Sequence, residues 1–145
     1  MLNTTSAFIT FHGKLEDETG AFYRRLASSG SYPEAEEAFL ALAKENGKHK
    51  EMVLRTYREV VTDAFEGGFP LFPLDEEDYR VQTELPEDAS LSDVLKRATE
   101  IEEKSRRFCT DAAKSTRGLM ADIPQAFEWV ARAKARREKE LQSLR

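Results

Sequence analysis

The 145-residue sequence predicts an all-α fold: an antiparallel four-helix bundle built from two helical hairpins and a long crossover. Three observations carry this. Four segments repeat their apolar residues with the 3.6-residue period of a helix. Charged residues make up 34% of the chain, against a usual share of about 25%, with only seven Gly and five Pro, which suits long amphipathic helices better than a turn-rich β-sandwich. Between the second and third segments lies a proline-containing stretch of different composition. Domains cluster at roughly 100–150 residues, so residues 1–145 form one domain.

The first segment runs from about Thr5 to Ala27, with Phe8, Ile9, Leu15, Phe22, Tyr23 and Leu26 on one side. A polar link, SSGSYP (28–33), follows, and Pro33 suits a helix first turn, where no backbone N–H is required. The second segment, about Glu34 to Phe65, carries Phe39, Leu42, Ala43, Val53, Tyr57, Val60 and Val61. The third spans about Ser90 to Thr116, with Ser90 or Ser92 as candidate N-cap. The fourth begins near Pro124 and runs almost to Arg145.

The stretch GGFPLFPLDEEDYRVQTELPED (67–88) holds three of the five prolines and reads as extended. A structureless connection beyond about 12–15 residues in a compact domain needs a reason. A helix of about 27 residues is roughly 40 Å long, and about 12–13 extended residues cover that distance. The segment is therefore long enough to run the length of a bundle and start helix three at the opposite end. Residues 66–89 are expected to hold no helix beyond about two turns, with helices two and three parallel.

The two hairpins read as copies. A shift of 86 positions pairs Phe8 with Val94, Ile9 with Leu95, Leu15 with Ile101, Glu16 with Glu102, Phe22 with Phe108 and Ala27 with Ala113. A shift of 88 pairs Phe39 with Phe127 and Ala43 with Ala131. Two nearly equal offsets in chain order indicate a pseudo-twofold repeat.

Residues seven apart lie on nearly the same helix face. The rows are Ile9-Glu16-Tyr23, Phe39-Asn46-Val53, Leu42-His49-Thr56, Leu95-Glu102-Cys109, Phe127-Lys134-Leu141 and Val130-Arg137-Leu144. Six polar residues thus sit midway between mostly apolar neighbours. A solvated face would not be bracketed this way.

These residues carry a resemblance. LEDETGAFYRRLA (15–27), IEEKSRRFCTDAA (101–113) and FLALAKENGKH (39–49) resemble the first, third and second helices of rubrerythrin-like, ferritin-like di-iron proteins. The resemblance implies a ferritin-like bundle in which each odd helix gives one Glu and each even helix gives Glu-x-x-His to two irons. Carried over, Glu16 and Glu102 match the single-Glu positions and His49 the histidine of helix two. Asn46 stands where its Glu should be. Lys134 and Arg137 occupy the Glu and His positions of helix four. The metal set so implied is Glu16, His49 and Glu102.

Buried carboxylates are costly unless paired or bound to a cation. Two carboxylates facing one ammonium and one guanidinium cancel formally without metal, and Lys134 and Arg137 would repel a divalent ion from that space. The expected function is therefore a non-catalytic binding or structural bundle with no cofactor, whose di-iron site is replaced by a network of Glu16, Asn46, His49, Glu102, Lys134 and Arg137. The alternative is an iron-binding oxidoreductase with rubrerythrin-like peroxide or oxygen chemistry and a reduced ligand set. The single cysteine cannot form a rubredoxin-type site, so that alternative needs a separate electron-donor protein.

Other residues admit two readings. His12, one turn before Glu16, is either a substitute ligand or a histidine at a helix end or interface. Glu45 and His49 share a face if helix two is rotated, and Asn46-Gly47 is also a turn signal. Cys109 reads as a small buried hydrophobe. Residues 66–93 hold nine acids and one Arg, while 132–145 hold six basic residues and two Glu; solvated faces account for both. The net charge of −5 argues against nucleic-acid binding. The longest apolar run, Ala38–Ala43, is too short to span a bilayer, and MLNTTSAFITFH lacks the features of a signal peptide. A cytoplasmic homodimer with no membrane or nucleic-acid partner is the expectation.

Overall fold

The computed structural model describes residues 1–61, 68–118 and 121–144. Four α-helices form a helical bundle: α1 (Thr5–Ser28), α2 (Glu36–Val60), α3 (Leu91–Ser115) and α4 (Asp122–Ser143). Among the described residues there is no strand, only an isolated bridge between Leu2 and Leu74. No helix of the described residues is long and apolar enough to cross a membrane.

Local signals set the boundaries. The Thr4 side chain accepts from the Ala7 N–H at 3.0 Å and caps α1. Ser90, rather than Ser92, caps α3 by accepting from the Asp93 N–H at 3.1 Å. Pro33 opens a short 3₁₀ turn, Pro33–Ala35, so α2 starts two residues later than expected. α2 is continuous through Asn46-Gly47 and ends at Val60, because Val61 is extended (φ −101°, ψ 112°). The expected continuation to Phe65 lies outside the described residues. α4 starts at Asp122, two residues before Pro124, whose missing N–H costs nothing in a first turn.

The described part of the crossover holds no α-helix, only one 3₁₀ turn, Glu76–Tyr79, and a turn closed by the Ala89 N–H on the Pro86 carbonyl at 3.1 Å. Its partners along α3 show its course. The Leu71 N–H donates to the Ser115 carbonyl at 2.6 Å, and the Tyr79 hydroxyl to Asp111 at 2.6 Å. Farther on, Lys104 donates to the Arg80 carbonyl at 2.8 Å and Arg97 to the Glu84 carbonyl at 2.6 Å. The chain thus walks from the end of α3 back to its beginning, as the length argument requires. The residues at 66–67 lie outside the described part.

The interior holds two apolar cores. The first contains Ile9, Val53, Cys109 and Phe127; the second contains Tyr23, Phe39, Leu95 and Leu141. Each of these pairs belongs to one seven-residue row, and its middle member is Glu16, Asn46, Glu102 or Lys134. A polar layer therefore crosses the bundle between two apolar clusters. From the first core to the second, residue numbers rise along α1 and α4 and fall along α2 and α3. The repeat pairs obey the same geometry: Phe8, Ile9 and Leu15 lie in the first core, their counterparts Val94, Leu95 and Ile101 in the second. Phe22, Ala27 and Phe39 lie in the second core and Phe108, Ala113 and Phe127 in the first. The two halves of the repeat thus place their matching residues in opposite cores.

Candidate functional site

The polar layer assembles all six residues picked out by the row pattern. Glu16, Asn46, His49, Glu102, Lys134 and Arg137 are buried, none more than 3% exposed. Long amphipathic helices bring them together because each occupies the centre of an apolar stripe.

Glu16 and Glu102 are the two anions. Glu16 Oε1 accepts from Asn46 Nδ2 at 2.9 Å and from the Lys134 ammonium. Its Oε2 faces His12 Nε2 at 3.5 Å and His49 Nδ1 at 3.4 Å. Lys134 Nζ also lies 3.6 Å from Glu102 Oε1, so one ammonium stands between both carboxylates. Glu102 Oε2 accepts from the Tyr23 hydroxyl at 2.6 Å and pairs with Arg137 Nη2 at 3.2 Å. Arg137 closes the ring by donating to Asn46 Oδ1 at 3.0 Å and to the Leu42 carbonyl at 3.3 Å, while its guanidinium covers the Tyr23 ring at 5.5 Å.

Electrostatics follow from this packing. Burial pushes the Glu16 carboxyl upward, but the Lys134 charge and the His12 and His49 contacts outweigh it and hold the group well below its ordinary value. Burial weakens the charge on Arg137, yet Glu102 above all keeps its guanidinium even more firmly protonated than usual. Burial and Glu102 push the Tyr23 hydroxyl well up, so it acts as a donor and stays neutral. The formal charges of Glu16, Glu102, Lys134 and Arg137 cancel.

His12 belongs to the layer. It is 2% exposed, and Phe127 packs edge-on against its ring. Glu45 does not belong: it is half-buried while Asn46 points inward, so the rotated register of helix two is not the one adopted. Cys109 is fully buried in the first core, and burial raises its thiol far above the usual range. Three further polar residues were not singled out by the pattern. Tyr23 was visible only as an apolar row member. Thr19 and Ser105 are buried with unpartnered hydroxyls, and they are 86 positions apart, so the repeat offset applied to polar residues would have found them.

The ligand set implied by the di-iron resemblance does not fit these residues. It calls for four carboxylates and two histidines, whereas two carboxylates are present and Lys134 reaches both. Among the described residues no group of three or more His, Cys, Asp or Glu side chains stands where it could hold a metal ion. No protein-family model matches the chain. No curated protein and no solved structure matches it either.

Proposed function

We propose that this chain is a ferritin-like bundle, with two antiparallel hairpins and one long crossover, that resembles rubrerythrin and holds charge pairs in place of a di-iron centre. It is a non-catalytic binding or structural protein that acts through its surface or as a homodimer. One observation carries the reading: the Lys134 ammonium contacts both Glu16 and Glu102, taking the balancing role that cations play among buried carboxylates. Burial of every member of the layer favours the same reading, since a catalytic group must meet its substrate. A second reading, an iron-binding oxidoreductase fed by a separate electron donor, draws on the two imidazole nitrogens beside Glu16 Oε2, neither of which makes a hydrogen bond. Metal analysis of the protein purified from iron-supplemented cells decides between them. Iron far below one atom per chain is the expected result; a stoichiometric amount overturns the proposal.

A further inference from the structure

The groove between α3 and α4 holds an arrangement that folding does not explain. On α3, Thr110, Ala113 and Lys114 share one stripe at helical spacing, and Arg117 follows in the turn after the helix; Glu128, Ala131 and Arg132 face them from α4, around a cavity of about 240 Å³. Ala113 is buried and Ala131 half-buried, so two small residues form the floor and the long charged side chains stand as walls.

Farther along the same two helices, charges are matched: Arg106 Nε of α3 meets Glu138 of α4 at 2.6 Å. Here cation faces cation. Among the described residues, the side chains of Lys114, Arg117 and Arg132 make no ion pair or hydrogen bond. Glu128 is the single acid of the lining, which therefore carries two net positive charges in a chain of net charge −5. Lys114, in the last turn of α3, is accounted for by the negative end of the helix dipole. Arg132 is not, because it lies midway along α4. Like charges opposed across a groove destabilise it, and an anion seated between them removes the repulsion.

We propose that this trough binds a phosphoryl group. Two guanidinium forks and an ammonium suit a tetrahedral oxyanion, and the Thr110 hydroxyl supplies a further donor. The volume is below the about 300–1,000 Å³ of sites that enclose a drug-sized ligand. It suits inorganic phosphate or a small phosphomonoester.

The test measures melting temperature at constant ionic strength, with sodium chloride replaced by sodium phosphate or by glycerol phosphate. Backbone amide shifts of Thr110, Lys114 and Arg132 are followed in parallel. Both phosphates should raise the melting temperature of the unmutated chain and move those amides, and whichever binds tighter identifies the free or esterified source. Arg132→Ala should weaken binding about ten- to hundredfold, the worth of one charged hydrogen-bonding group. Arg132→Glu should raise the melting temperature in chloride, by creating the cross-helix pairing found at Arg106 and Glu138, and should abolish the phosphate response. Equal phosphate gains in the unmutated chain and Arg132→Glu would indicate general salt exclusion from the surface and overturn the proposal. So would the absence of amide shifts at the trough.

Discussion

Replacing Lys134 by Met keeps the volume of the side chain and removes only the ammonium that touches both carboxylates. Lys134 and both of its partners are at most 2% exposed, so water cannot substitute for the lost charge. Removing one partner of a buried ion pair costs about 3–5 kcal/mol. For a chain of this size each kcal/mol is about 2–4 °C in melting temperature, so Lys134→Met should melt about 6–20 °C lower at pH 7. The pH dependence gives a sharper check. In the unmutated protein the folded pKa of Glu16 is well below the ordinary 4.5, so its contribution is present above that value and fades as pH falls toward the folded pKa. Burial is the largest influence on this carboxyl and acts upward; Lys134 is the largest opposing one. Without Lys134 the pKa rises, and the folded mutant holds a proton that the unmutated fold has released. The mutant's relative stability must therefore fall as pH rises through the acid range, and its deficit must shrink as pH drops below about 4.5. Thermal melts of both proteins between pH 3 and pH 7 test this. A deficit under about 1 kcal/mol at pH 7, or one of equal size at pH 3, refutes the reasoning.

Tyr23→Phe removes the 2.6 Å donor to Glu102 Oε2 and should cost about 1–3 kcal/mol at pH 7; a change within a few tenths of a kcal/mol in denaturant titration contradicts the assigned bond. Cys109, fully buried with its thiol pKa raised by burial, should react with Ellman's reagent only in denaturant; rapid labelling of the native protein contradicts the packing. Asn46→Glu, Lys134→Glu and Arg137→His together place four carboxylates around the layer and add a histidine to His12 and His49. That triple variant should melt in a strongly iron- or zinc-dependent way, and a metal-independent melt contradicts the proposed relation to di-iron bundles.

The rows of seven were legible because a long helix keeps such residues on one face, and a polar residue between Phe127 and Leu141 has nowhere to go but the interior. That reasoning placed Lys134 and Arg137 correctly. The crossover was legible from length alone, since about a dozen extended residues match a helix of the observed span. Helix ends were less so. Pro33 permits either an α-helical or a 3₁₀ first turn, and only the packing of the link selects the latter. Pro124 marks a first turn without saying at which of its positions it sits. His12 was undecided because a histidine near a helix start faces solvent or core according to the neighbouring helix, and here Phe127 of α4 covers it. Tyr23 was missed as a polar partner because its hydroxyl meets Glu102 of another helix, and the periodicity of one helix does not encode a contact across the bundle.

A buried charge set that is complete without a metal leaves ferrous iron nothing to bind. The direct measurement is the melting temperature of the unmutated chain at pH 7, under anaerobic conditions, with ferrous iron in excess and with a chelator. Ligands that bind only the folded state raise stability with their concentration. The melting temperature should be the same in both, because the Lys134 ammonium already lies between Glu16 and Glu102. A rise of several degrees with ferrous iron, reversed by the chelator, would contradict it.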